Sequence, residues 1–482
     1  MKEKKESAIL QAIGVVIVVV VLYIIGRLLG LDSKPIVVKS EMAVLMIVIA
    51  AAYVWQKRTQ NVEGAIKVIM IGGMVMRIGY MIYTGCDVRS HDLYPMEVNG
   101  TRHAGYLLWM IENHRLPESN AKELYQQPFY YFVSSCFSIF INFILRCKEP
   151  YYLVDAAKTV SCAASCISLL VCRKLFEECG LKAEGIKNAM LLTAFLPVFY
   201  LTGGRVGPNA LAAMFMLLAF LYTLRWMKQP DWKNTIILAV IYGLGVMTKI
   251  SCGVIAIMTA LIFIGKLFCR SELKEKAALL LKYVVFGMIS LPLGLWYSVR
   301  NYILFHQPLN YVLPQSKSND LYTGMYSVAE RLFGIDVANL IHSPYTDVFE
   351  DYNAPVYYVK SSLFGEFTYQ VPGFIPVLLL LCAVLLSAAV FAAIVWQIVK
   401  NRADKAGNLV AMMFLLFYGN MLWFYLQYPH GCSMDFRYMT FIVAPAAILL
   451  SKYMAAHPKS QRGLNYVLWG EAICSCIMYC MI

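Results

Sequence analysis

Asp87, Arg89, His91 and Asp92 crowd into one short polar stretch of a chain that is otherwise mostly apolar. Glu97, Arg102, His103, Glu112, His114 and Glu118 follow before the next apolar run begins near residue 128. Carboxylates placed directly after an apolar run suit one task well, the removal of a proton from a hydroxyl or amine at a membrane surface. Arg89 between them suits holding a phosphate or tuning a carboxylate, and His91 adjoins Asp92. Much later, Arg300 closes one apolar run and Arg437 opens another. An arginine fork matches phosphate geometry, and at Arg300 snorkelling to the interface is an equal reading. The sequence shows no metal-ligand spacing, so no cofactor is called for. A divalent metal on Asp87 and Asp92 is permitted but not required.

The elements that must position these residues are helices in a membrane. The chain has 482 residues, of which 60% are hydrophobic, against about 45–50% in soluble proteins. Apolar runs of about 20 residues, enough to span hydrocarbon as helix, recur from end to end. The fold class is therefore an all-α polytopic membrane protein, not a barrel, whose segments would alternate over about ten residues. The net charge of +13 does not mark a nucleic-acid partner, because Lys and Arg accumulate in cytoplasmic loops. Most of the 14 cysteines lie in apolar runs, where they act as small hydrophobes; Cys86 and Cys432 are the pair open to a disulfide. The N-terminal apolar run, to Leu29, is too long for a signal peptide and is expected as an uncleaved first span.

Basic residues set the orientation. Lys2, Lys4 and Lys5 place the N-terminus inside, Lys57 and Arg58 the second connection inside, and the loop 85–127 therefore outside. Lys400, Arg402, Lys405, Lys452, Lys459 and Arg462 give the same answer from the other end, with 301–370 and 428–435 outside. Fourteen candidate spans do not close this count, so one of the runs between 187 and 267 must be partial or merged. The pair 234–249 and 252–267, joined around Lys249, is the expected exception, leaving about 13 crossings. Residues 104–113, with Tyr106 and Trp109, read as a short helix lying along the interface. No linker divides the chain. It reads as one integral membrane domain over 1–482, with a catalytic module at 64–300, a second outer loop at 301–370 and C-terminal helices at 371–482.

The order of these features resembles the GT-C superfamily of polyprenyl-phosphate-sugar glycosyltransferases, nearest to family 39 and the bacterial protein mannosyltransferase and aminoarabinose transferase group. Arg89-Ser90-His91-Asp92 is similar to that group's Arg-x-His-Asp, and His103-Ala104-Gly105-Tyr106 to its His-x-x-Tyr. Gln127-Pro128-Phe129-Tyr130-Tyr131 is similar to Pro-Pro-Leu-Tyr-Tyr, with the first proline and the leucine missing. The stretch from Gly204 to Asn209, that from Lys360 through Gly365-Glu366-Phe367, and Phe436-Arg437-Tyr438 also resemble family segments. The resemblance implies a GT-C-like bundle with interfacial helices in the first outer loop. It also implies an inverting transfer from a polyprenyl-phosphate sugar with Asp92, or Asp87, as base and His91 beside it. Arg89, His103, Tyr106, Arg300, Lys360, Glu366, Arg437 and Tyr438 are the implied donor-binding residues, and a bacterial plasma membrane with an outer-face active site is the implied location. The sugar and the acceptor stay open. A transporter or lipid-linked glycan flippase, or a glycan polymerase or ligase, are the rival classes.

Overall fold

A computed structural model describes residues 2–90, 92–93 and 102–482. Among them it has twenty α-helices and no strand, only an isolated bridge between Tyr322 and His430. In chain order the helices are α1 (Lys2–Leu28), α2 (Pro35–Arg58), α3 (Val62–Tyr83), α4 (Arg102–Asn113), α5 (Phe129–Leu145), α6 (Pro150–Ala156) and α7 (Lys158–Glu178). Then come α8 (Ala183–Phe195), α9 (Val198–Gly203), α10 (Asn209–Lys228), α11 (Trp232–Thr248), α12 (Val254–Phe268) and α13 (Leu273–Phe305). The rest are α14 (Val328–Phe333), α15 (Val337–His342), α16 (Ala354–Phe364), α17 (Phe374–Val399), α18 (Lys405–Gln427), α19 (Val443–Ala456) and α20 (Pro458–Met481).

Ten of the described helical segments are long and apolar enough to cross a membrane, and three shorter apolar helices accompany them. The protein is thus a multi-pass α-helical membrane protein; length alone does not establish the expected count of 13. The pair expected to merge is two helices: Lys249 adopts an extended conformation between α11 and α12. The run 187–202 is broken at Pro197 into α8 and α9, neither long enough to span.

The chain packs as two compact units. One comprises Met1–Leu28, Gly85–Glu178 and Arg205–Leu313; the other comprises Leu29–Thr84, Cys179–Gly204 and Pro314–Ile482. In the first, α7 packs on α1 and α10, α10 on α11, and α11 on α13. In the second, α3 packs on α2 and α8, α8 on α19, and α17 on α19 and α20.

The break at Pro197 leaves carbonyls at the end of α8 without intrahelical donors. Arg77 of α3, 1% exposed, supplies them: its Nη1 donates to Ala194 O at 2.8 Å and its Nη2 to Thr193 O at 2.9 Å. Gly73 allows this approach, since a Cβ there would lie 2.8 Å from that of Ala194. A cation buried in an apolar helix is tolerable only with such partners.

Candidate active site

The acidic loop begins where α3 ends, and in the first unit it is fixed at its start by Asp155. Asp155 Oδ1 accepts from the Cys86 backbone N–H at 2.9 Å, and Oδ2 accepts from the Tyr23 hydroxyl at 2.7 Å. Lys158, 1% exposed, sits 2.5 Å from the same carboxylate. One turn earlier, Tyr151 donates to Asp87 Oδ1 at 2.9 Å. Asp87 is therefore held half-buried by α6. Arg89 has φ of 56°, left-handed for a residue with a side chain, which turns the chain back sharply between the two acids.

Cys86, next to Asp155, is a free thiol. Burial, followed by the Asp155 charge, pushes it well above the usual thiol range, with Lys158 pulling the other way. Only the thiolate is an efficient nucleophile, so Cys86 is expected to stay unmodified by maleimide in the folded protein at neutral pH. Mass spectrometry of the labelled protein checks this, and rapid labelling would contradict the burial.

The loop's far end is held by α4. The His103 N–H donates to the Asp92 carbonyl at 3.4 Å, so Asp92 is tied to the first turn of that helix. His103 is buried, and its Nδ1 is 2.5 Å from the Tyr131 hydroxyl. The Tyr106 ring stacks on Tyr131 with centroids 3.9 Å apart. The Tyr106 hydroxyl donates to Tyr297 (3.1 Å), which donates to Leu124 O (2.8 Å). Burial, then Tyr297, raises Tyr106 well above the ordinary phenol range, so it acts as a neutral donor. Gln127 adds a bond to Ser298 at 2.7 Å. Arg300 donates to Pro117 O at 2.8 Å and to its neighbour Asn301 at 3.0 Å. α4 and the end of α13 thus clamp the segment 117–127 from both sides. Of the expected residues, this unit contains Asp87, Arg89, Asp92, His103, Tyr106 and Arg300; His91 and Glu97 lie outside the described residues.

In the second unit a separate charged cluster forms where α16 packs against residues 436–438. Asn353 caps α16 by accepting from the Val356 N–H at 3.1 Å. Gly365 ends it at φ 61° and ψ −140°, a backbone region essentially restricted to glycine, which sets the direction of Glu366. Arg437 is 6% exposed. Its Nε lies 3.0 Å from Asp435 Oδ2, its Nη2 donates to the Tyr438 hydroxyl at 2.9 Å, and Glu366 Oε2 is 3.9 Å away. Lys360, 1% exposed, bonds Asp351 at 3.2 Å. This unit therefore gathers Lys360, Glu366, Arg437 and Tyr438. The segment 428–438 is itself clasped, with Thr323 N–H donating to Pro429 O and Gly431 N–H to Leu321 O at 2.9 and 2.8 Å.

Tyr357 lies among these charges, fully buried, with no hydrogen-bond partner for its hydroxyl among the described residues. Burial, then Glu366, Asp435 and Asp351, raise it well above the usual phenol range, while Arg437 lowers it. An unpaired buried hydroxyl costs about 1–3 kcal/mol. Tyr357→Phe is therefore expected to unfold no more easily than the parent protein. A thermal melt in detergent tests this, and a lowered Tm would reveal a bond made by the hydroxyl.

Asp155, Lys158, Asp351 and Asp435 went unassigned in the sequence. For the first two a signal was there, since an acid and a base three residues apart inside an apolar run mark a paired buried site. Among the described residues no three His, Cys, Asp or Glu side chains converge to hold a metal.

Comparison with known proteins adds a family match over part of the chain. The family model described as dolichyl-phosphate-mannose-protein mannosyltransferase matches residues 154–296. No curated protein matches. Among solved structures, the apo oligosaccharyltransferase of Archaeoglobus fulgidus is 13% identical with a TM-score of 0.47, over 86% of this chain and 54% of that one. The chain thus spans about half the length of that protein. ArnT from Cupriavidus metallidurans, in a structure bound to undecaprenyl phosphate, is 14% identical with a TM-score of 0.35, over 85% of this chain and 80% of that one. At these scores the structural likenesses carry no functional weight. What stands is that the chain resembles the GT-C glycosyltransferases of the family 39 group, by the ordered motifs of its polar segments and by the family match at 154–296.

Proposed function

We propose that this protein is a membrane glycosyltransferase that moves a sugar from a polyprenyl-phosphate donor to a hydroxyl or amine acceptor, with inversion, on the extracytoplasmic face of a plasma membrane. One observation carries the reading. The segment holding Asp87 and Asp92 is secured at both ends by buried polar partners, Asp155 at its start and the His103 N–H at its close. A solvated connecting loop has no need of such anchoring; a loop that must present a carboxylate within a fraction of an ångström does.

In this reading Asp92 accepts the proton as the acceptor oxygen or nitrogen attacks the anomeric carbon. The bond from that carbon to the phosphate oxygen breaks, and the electron pair leaves with the lipid phosphate. Asp87, five residues before Asp92 in sequence, and His91, directly before it, assist the base. Arg437, with Arg300 or Lys360, offsets the charge growing on the phosphate. Arg437 comes to that task already oriented by Asp435 and Tyr438, which lowers the entropy cost of engaging an anion. Glu366 and Arg89 are further contacts for the donor head group. Cationic side chains do the electrostatic work in this scheme, so turnover is expected to survive exhaustive chelation with EDTA; loss restored by a divalent cation would add a metal to the site.

The test is purified protein in liposomes with radiolabelled polyprenyl-phosphate sugars. Accumulation of free polyprenyl phosphate supports a transferase. Movement of the intact glycolipid across the bilayer without bond cleavage supports a flippase and would overturn the reading.

A further inference from the structure

In the second unit the stretch 325–341 turns its chemistry inside out. Phe333 is 78% exposed, Met325 71% and Val337 61%, and Val328, Ile335 and Ile341 also face outward. The arginine of the same stretch points inward: Arg331 is 7% exposed and lies over the Tyr425 ring at 5.4 Å. Asn353 donates to Glu330 O at 3.2 Å, tying α14 to the start of α16 by its backbone. A helix pair in water shows the opposite pattern, with the cation outside and the phenylalanine within. Leaving such side chains in water forgoes about 1.5–3 kcal/mol for each large one.

We propose that the apolar face of 325–341 is seated in the boundary between headgroups and acyl chains of the surrounding bilayer, as an interfacial anchor. Continuity with the membrane favours lipid over another protein. α14 leans on α16, and α16 leads within ten residues into α17, a candidate membrane span whose first residue, Phe374, is 71% exposed. The segments between 306 and 373 hold no helix long enough to cross, so this stretch stays on the face from which α17 departs. The anchoring is apolar in kind. Between 325 and 341 the charged side chains are Glu330, Arg331 and Asp336, and the one cation is turned inward. Attraction to anionic lipids, which needs exposed Lys or Arg, plays no part. The inference rests on the membrane fold alone and is independent of the proposed reaction.

The experiment uses the full chain in nanodiscs of phosphatidylcholine, with Phe333→p-benzoylphenylalanine, and separately Val337→p-benzoylphenylalanine as the second position. Both sites are exposed, and size-exclusion elution checks that the variants fold. Ultraviolet irradiation is expected to give an intact-mass adduct of one phosphatidylcholine at each position. The yield should not change when phosphatidylglycerol is added or when salt is raised. A cross-link to a second copy of the chain, or no adduct at either position, would overturn the proposal. So would an adduct that appears only with phosphatidylglycerol.

Discussion

Asp92→Asn is expected to lower donor turnover by about 10²–10⁴-fold, the usual loss when a general base is removed. That is a barrier rise of about 2.7–5.4 kcal/mol. The fold should tolerate the change. Asp92 is half-buried in a turn, Asn has nearly the same shape, and it keeps the backbone carbonyl that accepts from the His103 N–H of α4. A melt unchanged within error, with turnover near background, is the expected pair of results. Asp87→Asn is expected to be milder in turnover, because Asp87 is engaged by Tyr151 and serves beside the base. Equal losses from both substitutions would point to a shared carboxylate function.

The second large effect is on stability. Asp155→Ala should destabilise the protein by about 3–5 kcal/mol, because it removes one partner of the buried Asp155–Lys158 ion pair. The carboxylate also has the Tyr23 hydroxyl and the Cys86 N–H as donors, and each loses its partner. Asp155→Ala combined with Lys158→Met should recover much of the stability, since the pair's desolvation cost disappears with both charges. It should not recover turnover, because the Cys86 N–H that fixes the start of the acidic loop remains without its acceptor. Thermal unfolding in detergent separates these outcomes. A double variant as unstable as Asp155→Ala alone would mean that the Tyr23 and Cys86 bonds outweigh the ion pair.

Much of the fold was legible in the chain, and the reasons are particular. The apolar runs gave the helices, because a bilayer leaves the backbone few alternatives. The short helix expected at 104–113 is present as α4, since its apolar residues recur at helical spacing; it ends ahead of Leu116-Pro117, where His114 has a left-handed φ of 52°. The break at Pro197, between α8 and α9, follows from the restriction a proline places on the residue before it. Lys249 is accommodated by Asn209 at 2.5 Å, while Pro197 removes a donor and needs Arg77 from another helix.

The candidate site was readable only in part. Motif order names Asp87, Asp92, His103 and Arg437 as candidates, but the supports of the acidic loop come from positions far away in sequence. Asp155 is 69 residues from Cys86, and Ser298 is 171 from Gln127. A single sequence records residue types, not which buried donor an acceptor meets, so those partners emerge only with packing. Asp435 illustrates the local version of the same limit. It stands two residues before Arg437 and reaches its guanidinium only because 436–438 form a tight 3-10 turn.

The central claim is that this chain breaks the bond between a sugar and a polyprenyl phosphate. The most direct measurement is the release of polyprenyl phosphate from a labelled panel of polyprenyl-phosphate sugars by purified parent protein and by Asp92→Asn, side by side. The account predicts release by the parent from at least one donor, with release by the variant lower by at least about 10²-fold. No release from any donor, or equal release by the two proteins, would contradict it.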